Sequence, residues 1–143
     1  MSETSPLADW IIEQMSDALI CADQAGSIVR WNEAACRLFG FSAAEALGGS
    51  LDLIIPEHLR APHWKGFHAA MRSGNLTLQG RPTLTRALHK SGRKLYVEMT
   101  FALVRNPDGV AVASVAMARD VTERLQKERA ARNMGPAGGG AVA

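Results

Sequence analysis

Three observations predict an α+β fold with a five-stranded antiparallel sheet and helices packed on one of its faces. Two short apolar runs joined by a turn open the chain, and three alternating runs joined by Gly-containing turns close it. Between them lies a stretch rich in helix caps and helix formers. Strands at both ends with helices between them leave one sheet face for the helices to cover.

The elements follow in order. Leu7, Trp10, Ile11 and Met15 recur at helical spacing behind Pro6, so residues 7–15 read as an amphipathic helix that packs on the domain or on a second copy of it. Ala18-Leu19-Ile20-Cys21 and Ile28-Val29 are strands around the turn Asp23-Gln24-Ala25-Gly26, where glycine permits a positive φ. Asn32 stops the second strand and can cap a helix Glu33–Phe39 that Gly40 ends. Ser42-Ala43-Ala44-Glu45 is a capping box for another short helix, closed by Gly48-Gly49. Asp52-Leu53-Ile54-Ile55-Pro56 leads to a longer helix over 62–73, with Pro62 in its first turn.

From Gly74 the period shortens. Residues 76–88 alternate loosely around Pro82, which argues for an edge strand or a bulge. Turns at Lys90-Ser91-Gly92-Arg93 and Asn106-Pro107-Asp108-Gly109 separate strands 95–104 and 110–118, completing a meander. Asp120 or Thr122 can cap a charged helix over 123–132, and the small, Gly-rich tail 134–143 is expected to be disordered. The organisation is thus a helix in 1–16, a domain over 17–120, a helix in 121–133 and a tail.

The 143 residues, 47% apolar, suffice for one core and are too few for two ordinary domains. A net charge of +2 with scattered basic residues argues against nucleic acid as a partner. No run approaches the roughly 20 apolar residues that span a bilayer, and the first residues lack a signal-peptide pattern. No membrane partner and a cytoplasmic location are expected. Cys21 and Cys36 are not at metal-ligand spacing and sit in apolar patterns, as packed reduced thiols do. The sequence shows no Ser/His/Asp order, paired carboxylates, phosphate-binding glycine loop or HExxH, so a binding module is expected and not an enzyme.

The positions Asp23, Gly26, Ile28, Asn32, Ala34, Gly40, Glu45 and Gly48 meet the pattern D-x-x-G-x-I-x-x-x-N-x-A followed by G and E-x-x-G. In this the chain resembles the PAS domain family. Asp120-Val121-Thr122 resembles the "D-I/V-T" hinge that joins the last PAS strand to an output helix. The resemblance covers about residues 10–125 and implies a PAS fold and a sensory role.

The helix over 62–73 carries the candidate site. Measured from His63 at 100° per residue, Phe67 falls at about 40°, Met71 at about 80° and Trp64 at about 100°, with His68 at about 140° and Lys65 and Arg72 near 180–200°. His63 is on the inward face and His68 at its margin. An imidazole directed into an apolar cavity suits haem iron. The segment from Ile55-Pro56 to His63 also resembles that of haem-binding PAS oxygen sensors, which implies His63 as the proximal, metal-ligating residue. On the same resemblance Arg81 and Thr83, which straddle Pro82, are the candidate distal residues. Met99 and Met117, on the later strands, are further candidates for the cavity wall, as are Phe67 and Met71 on the helix. The cofactor is expected to be haem b, another small ligand, or none. Flavin is not expected, because the G-x-N-C-R-F-L-Q run of light-sensing relatives is missing. His58 and His89 lie in loops and read as solvated, and Trp31 and Trp64 as core anchors. The expected function is therefore sensing through a central cavity, with output by a homodimer or a separate effector protein. A ligandless PAS scaffold for dimerisation is the alternative, in which Phe67, Met71, Met99 and Phe101 fill the interior.

Overall fold

Asn32 is the residue on which the N-terminal half is assembled. In the computed structural model, which describes residues 6–76 and 81–133, its side chain is fully buried. Oδ1 accepts from the backbone N–H groups of Leu19 and Ala35, each at 2.9 Å. Nδ2 donates to the carbonyls of Ile12 at 2.8 Å and Asp17 at 3.1 Å. Two lone pairs and two N–H groups are all that an amide has, so its capacity is fully used. One side chain thereby caps α2 (Glu33–Phe39), starts β1 (Ala18–Asp23) and holds the end of α1 (Pro6–Gln14).

The hairpin from β1 to β2 (Ile28–Trp31) turns at Gly26, φ +85°, with Asp23 Oδ1 accepting from Ala25 and Ser27 N–H. α3 (Ala43–Ala46) has both bonds of the expected capping box, although it ends at Ala46, ahead of the two glycines. A 3-10 turn, Leu51–Ile54, then leads to α4 (Glu57–Ser73). That helix starts five residues before the expected boundary, so Pro62 lies in its second turn. Pro56 is the stop, and Pro62 removes only the bond to the carbonyl of exposed His58 while its own φ is already helical.

β3 (Thr83–Leu88), β4 (Lys94–Arg105) and β5 (Ala111–Asp120) complete a sheet of order β2-β1-β5-β4-β3 whose neighbours are all antiparallel. β3 is an edge strand that starts just after Pro82, as the missing N–H requires. Residues 77–80, the front of the strand expected from 76, lie outside the described residues, as does the tail 134–143. Of the two expected caps for α5 (Thr122–Asn133), Asp120 accepts the Thr122 N–H at 2.8 Å. Thr122 Oγ1 instead accepts the Tyr96 N–H at 2.9 Å and ties the helix to β4.

Because strand side chains alternate, one sheet face meets the helices and the other does not. Ile20, Leu95, Val97 and Met99 from the sheet join Phe39, Leu51 and Ile54 in the core. Phe39 is completely buried and Trp31 leans on it at 5.5 Å while its Nε1 donates to the Phe41 carbonyl. Leu84 and Val104 of the far face remain exposed. α1 attaches through Ile12 and an Asp9–Arg30 ion pair, and Leu7, Trp10 and Ile11 project elsewhere, each more than half exposed.

Candidate functional site

The inward faces of α4 and of the sheet do not close on each other. Between them is a cavity of about 540 Å³, lined mainly by apolar side chains. α4 supplies His63, Phe67, Ala70 and Met71, the 3-10 turn supplies Leu51 and Ile54, and the sheet supplies Ile20, Thr85, Met99, Phe101, Ser114 and Ala116. The small residues of β5 are what leave the space open. Ser114 and Ala116 face inward, whereas bulkier Val115 and Met117 alternate to the other side.

His63 stands at this wall, as its place on the helical wheel requires. Its Nδ1 is buried and has no hydrogen-bond partner. Loss of solvation pushes its pKa below the ordinary histidine value, partly offset by the Asp52 carboxylate, with His68 lowering it further. Burial thus favours the neutral imidazole, the form that ligates metals.

Five of the expected site residues, His63, Phe67, Met71, Thr83 and Met99, are brought together at the cavity. Three are not. His68 is solvent-exposed and stacks on Trp64 at 5.7 Å, because its 140° offset carries it past the inward stripe. Arg81 is exposed and is not among the lining residues, since the strand that would aim it inward starts only at Thr83. Met117 pairs across the sheet with Leu19 and Thr100, one residue out of phase with the cavity-facing Ser114 and Ala116. Sequence reasoning missed two polar groups of the sheet wall, Thr85 and Ser114. Counting by twos from Ala87 would have found Thr85.

A profile of the PAS domain matches residues 16–123. The chain belongs to the PAS domain family. The fold of this PAS domain matches that of a PAS domain from Colwellia psychrerythraea with a TM-score of 0.72 at 20% identity, covering 82% of this chain and 97% of that one. It also matches an RNA-binding light-oxygen-voltage receptor with a TM-score of 0.69 at 24% identity, over 90% of this chain and 38% of that one. In sequence it is 30% identical over 121 residues to an uncharacterized protein of Azorhizobium caulinodans, covering 84% of this chain and 16% of the relative. It is 26% identical over 119 residues to the oxygen sensor protein DosP of Escherichia coli, covering 82% of this chain and 15% of that one. The chain therefore spans about one sixth of the length of these two relatives. It is a PAS sensory domain, and among the described residues no helix is long and apolar enough to cross a membrane.

Proposed function

We propose that this PAS domain is a cytoplasmic sensor that holds haem b in its cavity with His63 as the proximal ligand. The observation that carries this reading is the His63 imidazole, set at an apolar wall with Nδ1 buried and unpartnered. The residues fit the group: a flat apolar macrocycle needs an apolar slot and an unprotonated ring nitrogen to bind its iron. Phe67, Met71, Met99 and Phe101 border open space where a ligandless scaffold would pack them together, which favours a ligand over the scaffold reading. The relation to DosP, whose name describes an oxygen sensor, points the same way. Neither Cys21 nor Cys36 is among the lining residues, so the cavity wall described offers flavin no thiol. The iron would supply the gas-binding centre, and the protein would supply its axial ligand and exclude water.

Output on this reading runs through a homodimer built on Leu7, Trp10 and Ile11, or through a separate effector protein. Neither nucleic acid nor a membrane is invoked. The stripe is exposed where self-association needs it to be. The test of the site is the absorption spectrum of the protein as purified and after addition of haemin. A strong Soret band that disappears in His63→Ala and persists in His68→Ala is expected. Equal haem retention by the His63 variant would refute the assignment, and a chain that takes up no haemin would remove haem.

A further inference from the structure

His63 follows directly on Pro62, at a point where α4 lacks one rung of its backbone ladder. Its ring makes no hydrogen bond through Nδ1, so something else must fix its direction. The neighbouring side chain is held from two sides. Trp64 Nε1–H donates to Asp52 Oδ1 at 2.8 Å, and the same oxygen lies 4.0 Å from Nε of Arg60, one turn earlier on α4. Arg60 also donates to the Ile55 carbonyl at 3.0 Å. On its other side the Trp64 indole lies so close over Gly26, in the β1–β2 turn, that a Cβ there would overlap the ring. The His63 ring meets the indole edge-on, centroids 4.7 Å apart.

The indole is thus a bolt between the 3-10 turn and the hairpin. It fixes the rotation of α4 at the place where the missing backbone bond would otherwise loosen it. We infer that Trp64, clamped between Asp52 and Gly26, is a positioning residue that aims the His63 imidazole at the cavity. The inference rests on the reading of His63 as the ligand-binding residue. Outer groups that hydrogen-bond a ligating histidine typically change affinity about 10- to 100-fold when removed, and a ring that orients it by edge-on packing is expected at the lower end of that range.

Asp52 separates positioning from plain packing, because asparagine keeps the oxygen that accepts from Trp64 and alanine does not. The protein without haem, labelled with 13C-histidine, gives an aromatic spectrum in which His63→Gln assigns the His63 resonance. At about pH 8, where a histidine of ordinary pKa is neutral, Asp52→Ala and Trp64→Phe are expected to shift and broaden that resonance, while Asp52→Asn leaves it in place. Gly26→Ala should shift it too, and by less in a Trp64→Ala background, where no ring remains to be displaced and only the strain of alanine at a positive φ is left. Haemin affinity followed at the Soret band should fall about 10-fold in Asp52→Ala and be restored by Asp52→Asn. An unmoved His63 resonance in Asp52→Ala and Trp64→Phe overturns the inference, and so does an Asp52→Asn spectrum as altered as that of Asp52→Ala. Should the resonance move as expected in a protein that takes up no haemin, the positioning role stands and the haem reading falls.

Discussion

Replacing Asn32 by alanine should be among the most destabilising single changes in the molecule. The side chain occupies no exposed surface and makes four hydrogen bonds. Its removal orphans the N–H groups of Leu19 and Ala35, and each buried unsatisfied donor costs about 1–3 kcal/mol. The Ala35 bond is also the cap of α2, worth about 1 kcal/mol of the same sum. The carbonyls of Ile12 and Asp17 each keep a second lone pair and add less. A total near 3–5 kcal/mol follows, a large part of the about 5–15 kcal/mol that holds a typical domain together. Urea unfolding followed by far-UV circular dichroism is the assay, and a loss below about 1 kcal/mol would refute the accounting. Asn32→Asp sharpens the test. It keeps the two acceptor bonds but turns an oxygen toward the carbonyls of Ile12 and Asp17. A carboxyl in that position is raised above its unfolded pKa of about 3.9, since only its protonated form can donate, through its single O–H, to one of the two carbonyls. Its contribution is then fully present below that pKa and is lost as pH rises through the folded value. The variant should therefore be closer to the parent protein in acid than at neutral pH.

Further expectations concern other parts of the fold. Gly66 lies inside α4 with open space where a Cβ would project, so Gly66→Ala should stabilise the protein by up to about 1 kcal/mol, read as a higher Tm. Phe39→Ala, at the fully buried ring beneath Trp31, should cost about 3–5 kcal/mol in denaturant unfolding. Glu45 is held below the usual carboxylate pKa by the hydrogen bond from Lys90, so its contribution is present above the unfolded pKa and is lost as pH falls through the folded one. Lys90→Met should accordingly lower stability near neutral pH and make no difference in strong acid, as checked by thermal melts across pH. Trp10→Glu together with Ile11→Glu should give a monomer by light scattering at concentrations where the parent chain is a dimer; a parent chain already monomeric would eliminate self-association through α1.

Local chemistry was legible where a residue's role is decided by its neighbours in sequence. Asn32, Ser42 and Gly40 act as caps because cap bonds span only three or four residues, and Pro82 marks the edge strand because a proline has no N–H to give. The wheel placed His63 at the cavity because helical phase is fixed by covalent spacing. Phase across a sheet is different. Met99 and Met117 look alike in sequence, and only the pairing of Thr100 with Met117 puts the second on the far side. The start of α4 is not fixed by the local pattern, because Pro56 and Pro62 are both tolerated near a helix N-terminus. The clamp on Trp64 joins residues 26, 52 and 64, and no local pattern connects them.

The pairing of Ala18 with Ala118 has a consequence for any chain attached to this domain. The polypeptide arrives at β1 and departs from β5 on adjacent antiparallel strands, about 4.7–4.9 Å apart, and the Asp17–Arg119 ion pair, 3.0 Å long, pins the two roots together. To the flanking polypeptide the whole sheet behaves as a single stitch. The unit can be spliced in, duplicated or excised with almost no change in the distance between what lies before it and what lies after. A partner that grips the two roots together would register their relative angle instead of their separation.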